Sequence, residues 1–155
     1  MQKLFKHINV LLVVATVSIM AIILLTSCGA KPAASSVQEV TLEGVHLKIA
    51  GATLDQSFPA GCTGEAPGCT QARNGYKILS VAFQPRDLPE GQMLAYKNLP
   101  SVSVTVRGGK TVPHSLFKYD NVTHILTLGF EVSESASAFG LKWADLAEIP
   151  LEVAP

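Results

Sequence analysis

Val102-Ser103-Val104-Thr105-Val106, followed by Arg107-Gly108-Gly109-Lys110-Thr111-Val112, carries the clearest structural signal in this chain. Three valines alternate with two hydroxyl residues. Apolar β-branched side chains at every second position put one face on a core and one toward water, the pattern of a half-buried strand. Gly108 and Gly109 both tolerate positive φ, which predicts a two-residue hairpin turn. The same period of two recurs on either side. Downstream, Leu126, Leu128, Phe130 and Val132 alternate with Thr127, Gly129 and Glu131. Phe139, Leu141 and Trp143 flank Gly140 and Lys142, and Ile149, Leu151 and Val153 flank Pro150 and Glu152. Upstream, Tyr76 and Ile78 lead into Leu79, Val81 and Phe83, and Val45, Leu47 and Ile49 surround His46 and Lys48. Asn74-Gly75 and Asp120-Asn121 supply turn chemistry between runs. No helical periodicity extends beyond about two turns.

These runs predict an all-β fold: an immunoglobulin-like antiparallel β-sandwich of about 7–8 strands. Pro150 lacks a backbone donor and belongs on an edge strand or a bulge. The cysteine pair and companion tryptophan of antibody domains are not in the expected places.

The 155-residue chain has 12 basic and 12 acidic residues and is 48% hydrophobic. Zero net charge argues against nucleic-acid binding. The average hides two unlike parts. Lys3, Lys6 and His7 precede an apolar run from Ile8 to Leu25, broken only by Asn9, Thr16 and Ser18, and no acid occurs before Glu39. A positive start followed by an apolar stretch is the form of an export signal. The run ends in Leu25-Thr26-Ser27-Cys28-Gly29, which resembles the lipobox of bacterial lipoproteins. That resemblance implies a signal peptide over 1–27, cleavage before Cys28, and Cys28 as a lipidated N-terminus carrying more than one acyl chain. Two membrane signals of this kind suffice for stable anchoring. The alternative is an uncleaved anchor, since the run could just span a bilayer. Either way, the rest of the chain is expected on the extracytoplasmic face of the bacterial cell membrane. Without residues 1–27, 10 basic and 12 acidic residues remain, a net charge of −2. The remainder is about 44% apolar, ordinary for a globular domain.

Cys28 with Gly29–Ser36 (Gly-Ala-Lys-Pro-Ala-Ala-Ser-Ser) reads as a lipidated cysteine and flexible tether over 28–36, reaching roughly 16 Å as a coil. The folded domain is expected over 37–155. Cys62 and Cys69 remain. An even count in an oxidising compartment favours a disulfide, and Gly64, Pro67 and Gly68 let the chain double back. A redox pair would usually have two-residue spacing, and a zinc site would want a second pair of ligands.

Gly129-Phe130-Glu131-Val132, Ser135-Ala136, Phe139-Gly140-Leu141-Lys142-Trp143 and Ile149-Pro150-Leu151 follow one another in the last strands. Together they resemble the closing strands of an uncharacterised immunoglobulin-like domain carried by bacterial cell-surface lipoproteins. Ser133 stands where that family often has proline. Tyr76–Phe83 is similar to its early central strand, and the resemblance spans residues 37–153. It implies a fold and a cell-surface setting, and offers no catalytic residues.

No Gly-x-Ser-x-Gly elbow and no His-Glu-x-x-His pair occurs. His46, His114 and His124 are unpaired in spacing and read as surface residues. Met93 is the one methionine after residue 27, too few for a copper cluster. The pairs Asp87/Glu90, Glu131/Glu134 and Asp145/Glu148 lack the alternation of a Ca²⁺ loop. Asn121-Val122-Thr123 reads as a turn. The irregular stretch Pro85–Pro100 is long for a connection, and such loops are often functional. Arg86, Met93, Tyr96 and Lys97 within it suit contact with a partner. A plain crossover with a helical turn near Met93–Lys97 is the bland alternative. The loop Ala60–Arg73 is a second candidate surface. The expectation is a non-catalytic binding or structural role at the cell envelope, with no metal or cofactor. Its partners are the membrane, through Cys28, and an envelope protein or surface ligand. An accessory subunit of an envelope transport or secretion complex, or an enzyme or metal carrier with a dispersed site, are the rivals.

Overall fold

The computed structural model describes residues 38–154. The expected signal peptide, Cys28 and the tether lie outside the described residues. Twelve strands follow in order: β1 Glu39–Leu42, β2 Val45–Asp55, β3 Ser57–Phe58, β4 Thr70–Gln71, β5 Tyr76–Pro85, β6 Val102–Val106, β7 Thr111–Pro113, β8 Leu116–Tyr119, β9 Leu126–Ser133, β10 Phe139–Trp143, β11 Ile149–Leu151 and β12 Val153–Ala154. One 3₁₀ turn, Tyr96–Asn98, interrupts them. The described residues are all-β. Five of the twelve strands have three residues or fewer, so seven substantial strands carry the fold.

Two main sheets form. One has the order β1-β2-β5-β9-β8, with β12 also on β2, and the other the order β11-β10-β6-β7. Neighbours are antiparallel except β12, which lies parallel to β2. The chain changes sheets at Glu152: Leu151 faces Phe139 in the second sheet, while Val153 faces Ala52 in the first. β11 is an edge strand, which accommodates Pro150. β2 is longer than its alternation suggested. A bulge between Ile49 and Gly51 shifts the register and lets pairing with β5 continue to Asp55. The Gly108-Gly109 hairpin is present, but its loop takes three residues, 107–109. Val106 N–H donates to Lys110 O at 2.9 Å, and both glycines have positive φ.

The inward residues of both sheets make one core. Leu79, Val81, Phe83, Leu126, Leu128 and Phe130 meet Val102, Val104, Leu141 and Trp143. Phe83 and Trp143 join the sheets with ring centroids 5.2 Å apart. The indole N–H of Trp143 donates to Thr41 O at 3.1 Å, so the one large polar handle in the core is satisfied.

β5 breaks the alternation in an informative way. Ile78, Leu79, Ser80 and Val81 are buried in succession, so both faces of the strand are covered there. The outer cover is the segment carrying Phe58, itself 3% exposed. Its ring lies against Gly129, where a Cβ would meet Phe58 Cδ2 and Leu116 Cβ, each at 2.9 Å. Gly129 is therefore small because another layer sits on it.

Candidate functional site

β5 presents a connection at each end. Ten residues of strand separate them by roughly 30 Å. The segment between β2 and β5, residues 56–75, holds the cysteines. The segment between β5 and β6, residues 86–101, holds the four contact candidates.

The first connection is tied down tightly. Cys62 and Cys69 form a disulfide with Cα atoms 5.8 Å apart. Asp55 Oδ2 accepts from Gly61 N–H at 2.8 Å. Arg73 places Nε 3.0 Å and 2.9 Å from the two oxygens of Glu131, and its main-chain N–H donates to the same carboxylate. Its guanidinium also lies 4.8 Å from the centre of the Tyr76 ring. These hydrogen bonds from the Arg73 side chain and backbone hold the Glu131 carboxyl below its ordinary range. Most of residues 60–73 are exposed.

The second connection is anchored at three places. At its root, Arg86 N–H donates to His46 O at 2.9 Å, and His46 N–H donates to Asp87 Oδ1 at 2.7 Å. The His46 ring meets the other Asp87 oxygen, and Arg86 pairs with Glu39 on β1. The ring hydrogen bond to Asp87 is the first cause that raises the His46 pKa and lowers that of Asp87. In the middle, Leu94 is 2% exposed and sits in the core, and its N–H donates to the Tyr119 hydroxyl at 3.2 Å. That hydroxyl lies 2.9 Å from His124 Nδ1. The hydroxyl has one hydrogen and two acceptor sites, so it can accept from Leu94 and still bond the ring with either atom as donor. Near the end, the 3₁₀ turn sets Tyr96 flat on Tyr119, with centroids 4.8 Å apart and planes at 25°.

The result is a ledge with a rigid base and an exposed top. Tyr96 is stacked beneath and half-buried, and Phe117 on edge strand β8 stands 6.0 Å from it. Phe117 is 58% exposed and Met93 60%. A surface concavity of about 350 Å³ runs along Met93–Asn98. The four sequence candidates therefore separate by role. Met93 and Lys97 are exposed, Tyr96 supports the ledge, and Arg86 is engaged by Glu39 at the root. Phe117 and Tyr119 were missed, although their spacing of two in Leu116-Phe117-Lys118-Tyr119 is a legible strand signal. The His46–Asp87 pair, 41 residues apart, has no sequence signature.

Other connections reach the same end of the fold. The turn after β8 is closed by Asp120, whose Oδ1 accepts from Val122 and Thr123 N–H at 2.9 Å each. Val122 at its tip is 88% exposed. The turn after β10 is joined to the connection by Ala144 N–H donating to Ser101 O at 2.8 Å. His114 is half-buried, edge-on to Phe130.

Among the described residues, no group of three or more His, Cys, Asp or Glu side chains is placed to hold a metal ion. No helix among them is long and apolar enough to cross a membrane. No protein-family model, curated protein or solved structure matches the chain.

Proposed function

We propose that this chain is a lipid-anchored, extracytoplasmic binding module of the bacterial cell envelope. On this reading, Cys28 carries the lipid and an immunoglobulin-like sandwich presents the Met93–Tyr96–Phe117 ledge to a partner. The observation that carries the contact surface is exposed Phe117 beside a Tyr96 ring fixed from below by Tyr119, with exposed Met93 lining the same concavity as Tyr96. Aromatic residues and methionine are enriched where proteins meet, and a pre-ordered anchor loses less entropy on binding.

Strand order supports the immunoglobulin-like reading. Taken in sequence, β2, β5, β9 and β8 occupy the places of strands A, B, E and D, and β6, β10 and β11 those of C, F and G. β7 then extends the second sheet beside β6. In this scheme 86–101 is the B–C connection and 144–148 the F–G connection, the end that antibody variable domains use for recognition. A disulfide in a small domain suits an oxidising compartment outside the cytoplasm. The lipobox-like Leu25-Thr26-Ser27-Cys28 supports the anchor.

Two measurements test the proposal. Cys28→Ala is expected to release the protein from membrane fractions; full retention favours an uncleaved span. A photo-crosslinking residue at Met93 or Phe117 in the anchored protein is expected to capture a discrete envelope component that a probe at Thr111 does not. Equal capture at all three positions removes the ledge as the contact surface.

A further inference from the structure

We propose that the root of the 86–101 connection is a protonation-dependent clamp centred on His46, which governs how freely the contact surface moves. The inference rests on the reading that this end of the fold is where a partner binds.

Three contacts join His46 to the first two residues of the connection. Its carbonyl accepts from Arg86 N–H, its N–H donates to Asp87 Oδ1, and its ring meets Asp87 Oδ2. One carboxylate thus grips both the backbone and the ring of a single residue. The charged groups around that ring are few. Asp87 faces it from the connection and Glu39 from β1, the latter occupied by Arg86. Lys48, two residues along β2, stands opposite Glu39 in the ladder. The ring is open to water, with 56% of the side chain exposed, so its proton exchanges with the surroundings.

Beyond the clamp the connection has little to hold it. From Pro89 to Met93 every residue is exposed, and the turn bond from Gln92 N–H to Pro89 O is internal to the segment. Half-buried Leu88 lies next to the clamp, residues 88–91 share a concavity with Thr123 and His124, and the next buried residue is Leu94. The His46 clamp thus sets where this exposed stretch leaves the sheet.

Protonated His46 adds a Coulombic attraction to the Asp87 carboxylate that the neutral ring lacks, and it fixes hydrogen on the ring nitrogen that faces Asp87. The direction follows from the two shifts. His46 is raised above its ordinary 6.5, so the stabilisation is complete below that value and fades as pH rises through the folded midpoint. Asp87 is lowered below its ordinary 3.8, so its share fades as pH falls through its own folded midpoint. The clamp is tightest between these limits. A domain outside the cytoplasm would meet the pH of its surroundings directly.

The test uses the full-length chain in detergent micelles, with amide hydrogen exchange between about pH 5 and 9, where histidine titrates. Rates are corrected for intrinsic chemistry, and the His46 ring is followed by NMR. Peptides covering 86–93 are expected to lose about two- to fivefold in protection as His46 deprotonates, the range for an exposed ion pair. Peptides covering 60–73 should stay level. Asp87→Asn is expected to lower the His46 midpoint and abolish the step, and His46→Gln to abolish it as well. Protection of 86–93 that stays level through the His46 titration, or a step that survives Asp87→Asn, overturns the clamp. Exchange needs no partner, so failure here is distinct from failure of the cross-linking at Met93 and Phe117.

Discussion

Phe58 offers the most demanding test of the architecture, because it assigns structural value to a residue outside the main core. The ring is 3% exposed and covers Gly129 and the outer side of β5. Phe58→Ala removes this cover and is expected to destabilise the 37–155 unit by about 3 kcal/mol, the lower end of the range for buried aromatic truncation. The lower end applies because an outer layer can partly collapse onto the void. Gly129→Ala works from the other side. The new Cβ would lie 2.9 Å from both Phe58 Cδ2 and Leu116 Cβ, and overpacking of this kind costs about 1–3 kcal/mol. The two effects are coupled through the same space. With the ring gone, the alanine methyl has room on one side, so the double variant should be less destabilised than the sum by at least about 1 kcal/mol. Gly140→Ala is the control. There a Cβ meets the Glu148 side chain, which can swing toward water, so a change within about 0.5 kcal/mol is expected. Urea unfolding followed by fluorescence of Trp143, the one tryptophan, reads all four. Additive losses at Phe58 and Gly129, or a loss below about 1 kcal/mol for Phe58→Ala, would refute the second packed layer.

The same segment yields two further expectations. Alkylation without reduction should leave Cys62 and Cys69 unmodified, and replacing both by serine should remove about 2.5 kcal/mol by the loop-entropy model; free thiols in the native protein would contradict the pairing. Glu131→Gln should lower the urea midpoint at neutral pH by breaking the Arg73 bridge. Because the Glu131 pKa is depressed, that deficit should close as pH falls through its folded value; a deficit that persists in acid would assign the effect to packing.

Two of the ion pairs join residues that no sequence spacing would associate. Arg73 and Glu131 are 58 residues apart, and His46 and Asp87 are 41 apart. Each pair meets because β5 carries one partner's segment past a neighbouring strand, β9 in the first case and β2 in the second. His46 read as an ordinary surface histidine, and its exposure fits that reading; the carboxylate beside it does not follow from any local pattern. The loop candidates were only partly legible for a related reason. Residue type marked Met93, Tyr96 and Lys97 as contact-prone, but not that Tyr96 would be the supporting ring and Phe117 the exposed one. That distinction depends on β8 lying at the sheet edge.

The alternation around Val102–Val106, Leu126–Val132 and Phe139–Trp143 was enough to dictate strands and their inward faces. Side-chain direction in an extended chain has a period of two whatever the strand pairs with. The same local arithmetic located the turns at Asn74-Gly75 and Asp120-Asn121, and two cysteines close together with glycine and proline between them marked the disulfide. Which strands are neighbours, where Phe58 folds back, and which carboxylate meets His46 are long-range choices. They were decided by burying both faces of β5 and of the middle of β9 together with the inward residues of the second sheet, a constraint that exists only when the whole core is assembled.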